Sequence, residues 1–293
     1  MNNKNYTLEE SFEYCRKLTY SNAKNFYFSF LFLPKHLRSA IYTVYAFCRI
    51  ADDIADDENN DAETKKKQFI EFDKLFELCY SENKVNHEMF TSLQYIIKEY
   101  RLSKEYLYDI VIGVRTDLYK THYDGFNELY DYCFKVASRV AYVCIELFVP
   151  ENERTQDLFK YAENLGLALQ LTNILRDVKE DKNKNRRYIP AEWLAQFGLT
   201  NEKYEKFIND GKITELKELF VFIDKTAENY YFECDKYITC TQKKYLFTLE
   251  IIKSIYFELL KKIGNDYSSL LTGRVSLSFW FKLWTALKIR LQN

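Results

Sequence analysis

Four aspartates end one amphipathic segment at a spacing that could hold a cation. Asp52, Asp53, Asp56 and Asp57 lie in the run DDIADD. On a helix, Asp52 and Asp56 share one face, and Asp53 and Asp57 repeat this beside them. Like charges one turn apart repel each other, and the helix dipole disfavours negative charge at a C-terminal end. A bound cation would remove both costs; the alternative is an acidic helix end that water solvates.

A second row of oxygen-bearing side chains recurs at four-residue steps in an otherwise apolar segment. Asn173, Asp177 and Asp181 lie in LGLALQLTNILRDVKED, with Gln170 on the same side. At ~1.5 Å rise per residue the row spans about 12 Å of one helix face. Oxygen ligands suit a hard cation such as Mg²⁺, which shares its remaining positions with water and substrate phosphates. Two such helices facing each other would form one cleft that binds metal ions; the alternative is a solvent-exposed helix face that carries aspartates.

Basic residues accompany both rows where an anion would need them. Arg49 lies one turn before Asp52, and Arg187 with Tyr188 follows Asp181 in a short non-helical segment. Such a segment could close over a diphosphate; the alternative is a set of surface cations that balance nearby carboxylates. The sequence lacks a P-loop and a G-x-G-x-x-G run, which makes a nucleotide less attractive as the diphosphate carrier. No Ser-His-Asp or Cys-His arrangement is readable either.

Long helices must position these side chains, because the sequence is poor in residues that end helices. Only 7 of 293 residues are Gly and 3 are Pro, well below the usual ~12% for the pair. The pattern predicts an all-α fold and, since no linker rich in Pro, Gly or Ser appears, one domain over residues 1–293. The polar stretch 58–66 is predicted to be a loop. Helical or apolar periodicity covers 36–57, 126–148, 153–181, 212–240, 242–263 and the tail 275–290.

Charge and cysteine content exclude several classes of protein. Lys plus Arg total 42 against 43 Asp plus Glu, so no global positive field indicates a nucleic-acid partner. The seven cysteines form no C-x-x-C pair and only three histidines occur, so no zinc site is predicted. Neither a signal core nor a membrane-length apolar window of ~18 residues is present. A reduced, cytoplasmic compartment is expected.

Five stretches resemble the squalene and phytoene synthase family over nearly the whole chain. They are FYFSFLFLPKHLRSAIYTVYAFCRIADDIADD (26–57), YCFKVASRVAYVCIELF (132–148), LGLALQLTNILRDVKED (165–181), RRYIP (186–190) and GRVSLSFWFKLW (273–284). The resemblance implies an isoprenoid-synthase helical bundle around a central cavity. It also implies an Mg²⁺-dependent prenyltransferase that joins two prenyl diphosphates at their C1 ends and releases diphosphate.

The resemblance implies roles for individual residues. The Mg²⁺ ligands would be Asp52, Asp56, Asn173, Asp177 and Asp181. Tyr132 would lie beside the developing cation and, with Arg49, form the catalytic pair. The positions that resemble diphosphate contacts, or lie near them, are Arg49, Gln170, Arg187, Tyr188, Tyr256 and Arg274. The positions that resemble substrate-channel residues are Phe26, Phe30, Tyr45, Val136 and Ala137.

The segment after Tyr132 departs from the family pattern. A V-A-G-x-V-G-like run is usual there, whereas here Ser138 and Ala141 replace the glycines and Arg139 lies between them. Bulkier side chains would narrow a cavity or shift helix packing. The CIELF run (144–148) looks more like the bacterial presqualene diphosphate and squalene branch, which favours two farnesyl diphosphates. Two geranylgeranyl diphosphates, giving phytoene, are the alternative, and a non-catalytic assembly relative is the remote one.

The sequence leaves open the role of the apolar tail and the use of NADPH. A helix at 279–293 that carries aromatic residues with Lys282, Lys288 and Arg290 could make peripheral contact with a membrane surface. A terminal helix packed on the bundle is the preferred interpretation. No NADPH motif is readable, and since the family uses no Rossmann fold, NADPH use stays open, as does the oligomeric state.

Overall fold

The computed structural model describes residues 4–22, 27, 29–273 and 275–292, with side chains left out for 290–292. In this part of the chain helices dominate and no strand forms, which confirms the all-α prediction. In chain order the helices are α1 (Leu8–Asn22), α2 (Lys35–Asp56), α3 (Ala62–Cys79), α4 (Phe90–Tyr100), α5 (Lys104–Thr116), α6 (Phe126–Cys133), α7 (Arg139–Phe148), α8 (Gln156–Arg176), α9 (Val178–Asn183), α10 (Ala191–Gln196), α11 (Asn201–Asn209), α12 (Ile213–Cys234), α13 (Cys240–Tyr245), α14 (Phe247–Asn265), α15 (Ser269–Thr272) and α16 (Phe279–Gln292).

Contacts divide the chain into two compact units. The first comprises Met1–Leu118 and Val143–Arg154, and the second comprises Tyr119–Tyr142 and Thr155–Asn293. Each unit holds one of the two acidic rows. A single domain over residues 1–293 stays a prediction.

Helix α2 is the centre of the first unit because its apolar residues follow helical spacing. Ala40, Val44, Phe47, Ala51 and Ala55 recur every three or four residues, and all are buried. The helix packs on α1, α3, α4 and α5. Burial of apolar surface stabilises this arrangement by about 25 cal/mol per Å². The acidic row is therefore carried on the end of a firmly packed helix.

Helix α8 is the centre of the second unit. Its apolar residues occupy most sides of the helix, as expected of a helix that neighbours surround, and it packs chiefly on α12. A buried polar link joins the two helices, since Thr172 Oγ1 and Tyr231 Oη lie 3.0 Å apart. The second polar row is thus carried on a buried helix rather than on a solvated one.

Several helix boundaries differ from the sequence prediction for local reasons. Helix α3 begins inside the predicted loop 58–66, because the Asp61 side chain caps it by accepting the Thr64 N–H at 2.8 Å. The predicted helix 126–148 is interrupted by a π-helical turn, Phe134–Ser138. By contrast, α2 matches its predicted range within one residue at each end.

The predicted helix through the second polar row is also interrupted, at Asp177 between α8 and α9. Its backbone angles, φ −103° and ψ 13°, are not helical. The Asp177 N–H nevertheless donates to the Asn173 carbonyl at 2.8 Å, and the Asp181 N–H donates to the Asp177 carbonyl at 2.8 Å. The four-residue step of the row is therefore kept across the break.

Candidate active site

The acidic row of the first unit lies at the C-terminal end of α2. Asp52 is half-buried, and Asp53 and Asp56 are exposed. Burial raises the pKa of the Asp52 carboxyl to about 7, against the pull of Arg49, and the negative charges of Asp56 and Asp117 add to the rise. A carboxyl that is costly to ionise in this position is one that a cation would stabilise.

Asp117 belongs to this acidic group although the sequence patterns did not single it out. It follows the last residue of α5, where its N–H donates to the Val114 carbonyl at 3.2 Å, and its charge acts on Asp52. The packing of α5 against α2 brings the two together. No spacing rule reveals such a neighbour, because Asp117 lies 65 positions after Asp52 in the sequence.

Arg49 lies one turn before the row, and one nitrogen of its guanidinium group already donates a hydrogen bond. Its Nη2 donates to an oxygen of Asp53, while its Nε is buried and has no hydrogen-bond partner among the described residues. A buried guanidinium N–H without an acceptor is costly. The sequence assigned Arg49 to an anion, and its unused donor fits that assignment.

The predicted channel residues of the first unit are inward-facing aromatics. Phe30 is buried and lies edge-on to Tyr42, with ring centroids 6.0 Å apart. Tyr45 is half-buried, and burial raises its pKa to about 12, with Arg49 opposing the rise. Both side chains can offer apolar ring surface, as an allylic chain would need. Phe26 lies outside the described residues.

The second polar row contains a polar atom that lacks a partner. Asn173 Nδ2 donates to Gln170 Oε1 at 3.3 Å, but Asn173 Oδ1 is buried and has no hydrogen-bond donor among the described residues. A buried carbonyl oxygen without a donor is expensive. Either a cation or a water would satisfy it, and the neighbouring carboxylates favour the cation.

Asp177 is held in place by its neighbour in sequence. Arg176 donates to both of its carboxylate oxygens, with Nε to Oδ1 at 2.7 Å, and the Arg176 side chain also interacts with Tyr256 of α14. The pair is largely buried, with 9% of Arg176 and 16% of Asp177 exposed. The bidentate geometry fixes the carboxylate while leaving it further lone pairs. Tyr256, which the sequence assigned near the diphosphate, therefore contacts the Arg176 side chain that holds Asp177.

Asp181, the last residue of the row, is the fourth residue of α9. Burial raises its pKa to about 8, and the charges of Asp177 and Glu180 add to the rise. Lys184 and Arg186 oppose it without cancelling it. In each unit, therefore, one aspartate of the row is harder to ionise than an exposed carboxyl, and a nearby cation would offset that cost.

The segment that follows the row is pinned by main-chain hydrogen bonds. The Arg187 N–H donates to the Thr121 carbonyl at 2.8 Å, and the Ala191 N–H donates to the Tyr123 carbonyl at 2.9 Å. This pairing resembles a fragment of a parallel sheet, with a single bridge between residues 122 and 187. The predicted non-helical segment is confirmed, but it is anchored rather than free.

Arg187 turns inward from this segment. Its side chain is 5% exposed, Nη1 donates to the Ile189 carbonyl, and Nε has no hydrogen-bond partner among the described residues. Burial lowers the pKa of the guanidinium. A nearby anion would compensate for that cost, so the residue fits its assigned contact with phosphate.

Three tyrosine rings pack together beside this segment. Tyr132 and Tyr188 rings lie 5.0 Å apart at 26°, with their hydroxyls 3.3 Å apart. Tyr123 joins both, with ring centroids 5.6 Å from Tyr132 and 5.8 Å from Tyr188. All three are buried. The sequence assigned Tyr132 and Tyr188 to the site but not Tyr123. The one feature that could have indicated Tyr123 is its position just before α6.

The π-helical turn that follows Tyr132 is pressed against α8. A Cβ built on Gly166 would lie 2.4 Å from both Cα and N of Ser138, and Ser138 Oγ donates to the Glu163 carbonyl at 2.8 Å. The same turn carries Val136 and Ala137, both half-buried. The departure from the family pattern at Ser138 is therefore accommodated by a glycine on the facing helix. Arg274 lies outside the described residues.

The side chains of both rows are oxygen donors, which a hard cation prefers. They are carboxylate and amide oxygens, and in the second row Asn173 Oδ1 is buried without a donor among the described residues. No group of three or more His, Cys, Asp or Glu that could cage a metal forms among the residues that the structure covers. The rows therefore suit Mg²⁺ that is completed by water and by a substrate's phosphates.

Comparison with known proteins decides the family. The squalene/phytoene synthase family model matches residues 21–281. The chain belongs to that family. Its members are prenyltransferases that act on prenyl diphosphates, so the predicted enzyme class is confirmed.

Individual relatives carry two kinds of name. The chain is 30% identical over 283 residues to phytoene synthase 2, chloroplastic, of Solanum lycopersicum, covering 95% of this chain and 89% of that one. It is 28% identical to the 15-cis-phytoene synthase of Synechococcus elongatus, covering 94% and 91%. A dehydrosqualene synthase structure with bound ligand superposes with a TM-score of 0.78 at 27% identity, covering 97% of both chains. A squalene synthase from Alicyclobacillus acidocaldarius gives 0.78 at 26%, covering 88% and 94%.

The raised pKa values give a pH dependence with a definite sign. Both aspartates have pKa values near 3.9 when unfolded and about 7 (Asp52) and about 8 (Asp181) when folded. Without metal, their contribution to stability therefore falls as pH rises from about 4 to about 8. Since a bound Mg²⁺ would favour the ionised forms, we expect a stabilising effect of Mg²⁺ that grows between pH 6 and pH 8.5.

Thermal unfolding with Mg²⁺ and with EDTA at several pH values measures this effect. Asp52→Asn with Asp181→Asn should flatten the pH dependence of the Mg²⁺ shift, while Glu180→Gln should preserve it. A Mg²⁺ shift of constant size from pH 6 to pH 8.5 would contradict the assignment.

Proposed function

We propose that this enzyme condenses two farnesyl diphosphates head to head (1′-1) with Mg²⁺ and releases diphosphate, giving a presqualene diphosphate or squalene-type C30 product. The observation that carries the proposal is the partnerless, buried Asn173 Oδ1, in a row with Asp177 and with Asp181, whose pKa is raised. An unsatisfied oxygen beside two carboxylates is a position that Mg²⁺ would fill, and a diphosphate would complete the coordination of the metal.

The chain's own residues have separable tasks in this reaction. Arg49 and Arg187 would bind phosphate oxygens with the N–H groups that have no other acceptor. Bound Mg²⁺ would neutralise diphosphate charge and so improve the leaving group. Buried aromatic faces, Tyr132 among them, would exclude water from the allylic cation and offer it π-density. The double bond of the second prenyl diphosphate would attack C1 of that cation, and loss of a proton to the released diphosphate would then close the cyclopropane ring.

Substrate length rests on weaker support than reaction type. The CIELF run and the two solved neighbours named for squalene-type synthases favour farnesyl diphosphate. The curated relatives are named as phytoene synthases, and this observation favours geranylgeranyl diphosphate as the second candidate. Retention of both acidic rows argues against a non-catalytic assembly role, because such a role needs no ligands.

Product analysis separates these candidates. The purified chain is incubated with Mg²⁺ and either farnesyl or geranylgeranyl diphosphate, with and without NADPH, and products are identified by mass spectrometry. We expect C30 product and inorganic diphosphate from farnesyl diphosphate. Consumption of the C20 substrate alone would establish the phytoene alternative, and consumption of neither would reject the proposed reaction. The NADPH arm shows whether the cyclopropyl intermediate is reduced.

The terminal helix α16 supports a peripheral contact with a lipid surface. One face packs on α14, with Thr285 and Ala286 buried. Trp280, Trp284 and Leu287, at steps of four and three, are 74%, 59% and 46% exposed. No Asp or Glu occurs between residue 267 and the last residue of the sequence, so the stripe lies in a purely basic segment. No helix in the described part of the chain is long and apolar enough to cross a bilayer.

Vesicle binding tests this contact. We expect Trp280→Gln with Trp284→Gln to weaken co-sedimentation with phosphatidylglycerol vesicles at least tenfold, because burying one large apolar side chain contributes about 1.5–3 kcal/mol. Phe232→Gln, which removes an aromatic that is 54% exposed on α12, should leave binding unchanged. Equal binding by the double variant and the unaltered chain would reject the lipid surface.

A further inference from the structure

A cluster of aromatic and charged side chains surrounds the π-helical turn Phe134–Ser138, and it lies wholly in the second unit. The turn follows Tyr132 and carries Val136 and Ala137, which the sequence assigned to the substrate channel. Turns of this kind are rare, and they occur frequently at functional sites. The contacts around this one must favour it over a regular helix.

Glu163 of α8 accepts hydrogen bonds from both sides of the turn. The Tyr130 hydroxyl, on α6, donates to Glu163 Oε1, and the Tyr142 hydroxyl, on α7, donates to Glu163 Oε2 at 3.1 Å. The Glu163 carbonyl also accepts a hydrogen bond from Ser138 Oγ at 2.8 Å. One residue therefore holds the helix before the turn, the last residue of the turn and the helix after it.

The main chain of α8 approaches the turn on the same side. Gly166 follows Glu163 by three residues, so the two lie on one face of the helix. A Cβ at Gly166 would come within 2.4 Å of Ser138 Cα. Because Gly166 has no side chain, the turn can lie close enough to α8 for the hydrogen bond between Ser138 and Glu163 to form.

Arg139, which departs from the family pattern directly after the turn, belongs to the same cluster. Its guanidinium carbon lies 4.7 Å from the centre of the Phe134 ring and 5.2 Å from the centre of the Tyr142 ring. Cations are attracted to the faces of aromatic rings at such distances. Arg139 therefore joins the first residue of the turn to the helix that follows it.

We propose that Glu163 is a positioning residue for prenyl transfer: its hydrogen bonds hold the π-helical turn, and the turn sets the positions of Tyr132 and of the two channel residues that it carries. The inference rests on the proposed function, in which these side chains surround the allylic cation and its chain. Glu163 acts through the turn and needs no contact with the substrate.

Steady-state kinetics of three variants test this role. Glu163→Leu removes the acceptor of both tyrosine hydroxyls, and we expect kcat for C30 product to fall roughly 10- to 100-fold, because misplacing reacting groups by about 1 Å costs that much. The KM for farnesyl diphosphate should change less, since the residues assigned to phosphate are untouched. More farnesol should form, because water that reaches the misplaced cation adds to C1 and releases a proton. Glu163→Gln keeps an acceptor for one hydroxyl and a donor for the other, so it should retain most of the rate.

The matched control is Asp157→Asn. It removes a carboxylate on the exposed side of the same helix, with Oδ1 4.0 Å from Lys160 Nζ, and should leave kcat, KM and the ratio of products unchanged. Rates are expressed per folded molecule, with folding measured by circular dichroism.

A Glu163→Leu variant that melts earlier yet keeps the kcat and product ratio of the unaltered chain would overturn the inference, as would equal losses in Glu163→Gln and Glu163→Leu. Hydrogen exchange of the backbone amides at 134–139 needs no substrate, and we expect it to be faster in Glu163→Leu than in Asp157→Asn. Unchanged exchange would also overturn the inference. Faster exchange in a chain that forms no C30 product would defeat the proposed reaction and still establish that Glu163 holds the turn.

Discussion

Asp181→Asn should lower the rate of prenyl transfer about a thousandfold while making the metal-free protein more stable above pH 8. The rate falls because the variant loses one ionised ligand for the charge that develops on the leaving diphosphate, and groups of this kind contribute about 10²–10³ in rate. Stability rises because burial makes ionisation of Asp181 unfavourable, with a pKa of about 8. A neutral amide of the same shape avoids that cost.

Glu180→Gln is the matched control for this substitution. Glu180 is the adjacent carboxylate on α9, but it is exposed and pairs with Lys184. We expect its loss to leave both the rate and the stability nearly unchanged. Initial rates of diphosphate release and thermal unfolding in EDTA measure the two quantities. Full activity in Asp181→Asn, or a loss of stability in EDTA, would contradict the role assigned to Asp181.

Gly166→Ala should destabilise the protein by about 2–3 kcal/mol, the usual cost of overpacking a tight core. The added Cβ would lie 2.4 Å from backbone atoms of Ser138, so the π-helical turn or α8 must shift. For a chain of this size the loss corresponds to a fall in melting temperature of roughly 5–10 °C. Activity should fall as well, because the turn follows Tyr132 and α8 carries Asn173.

Two further variants define the origin of that loss. Gly273→Ala should be neutral, since a Cβ there meets no atom within 4 Å and its φ of 177° is open to any residue. Adding Ser138→Gly to Gly166→Ala removes the Oγ contact at 2.5 Å but not the contacts to Cα and N. It should therefore fail to restore stability. Rescue by Ser138→Gly would show that the side chain, not the backbone, sets the close approach.

The sequence predicted those parts of the fold that short-range spacing determines. Helix α2 and the four-residue step from Asn173 to Asp181 follow from periodicity, because a buried face must repeat every three or four residues. The start of α3 was also readable in principle, since Asp61 is a favoured type of N-cap residue. The prediction missed it because the polar composition of 58–66 indicated a loop more strongly than one capping residue indicated the start of a helix.

Other features depend on contacts between distant residues. The interruption at Phe134–Ser138 arises where the turn meets Gly166, and no local pattern announces that approach. Asp117 joins Asp52 only because α5 packs on α2. The pinning of Arg187 by Thr121 requires two loops to pair across the second unit. Residue types indicated the chemistry, whereas tertiary packing determined which neighbours tune it.

The most direct measurement is calorimetric binding of farnesyl thiolodiphosphate, an unreactive analogue, in Mg²⁺ and in EDTA. If the acidic rows hold Mg²⁺ against a prenyl diphosphate, tight binding should require Mg²⁺. Asp52→Asn and Asp181→Asn should each weaken it about 10- to 100-fold, as loss of metal-site groups typically does, and Glu180→Gln should not. Equal affinity in EDTA, or full affinity in both Asn variants, would contradict the metal-bridged diphosphate on which the proposed reaction depends.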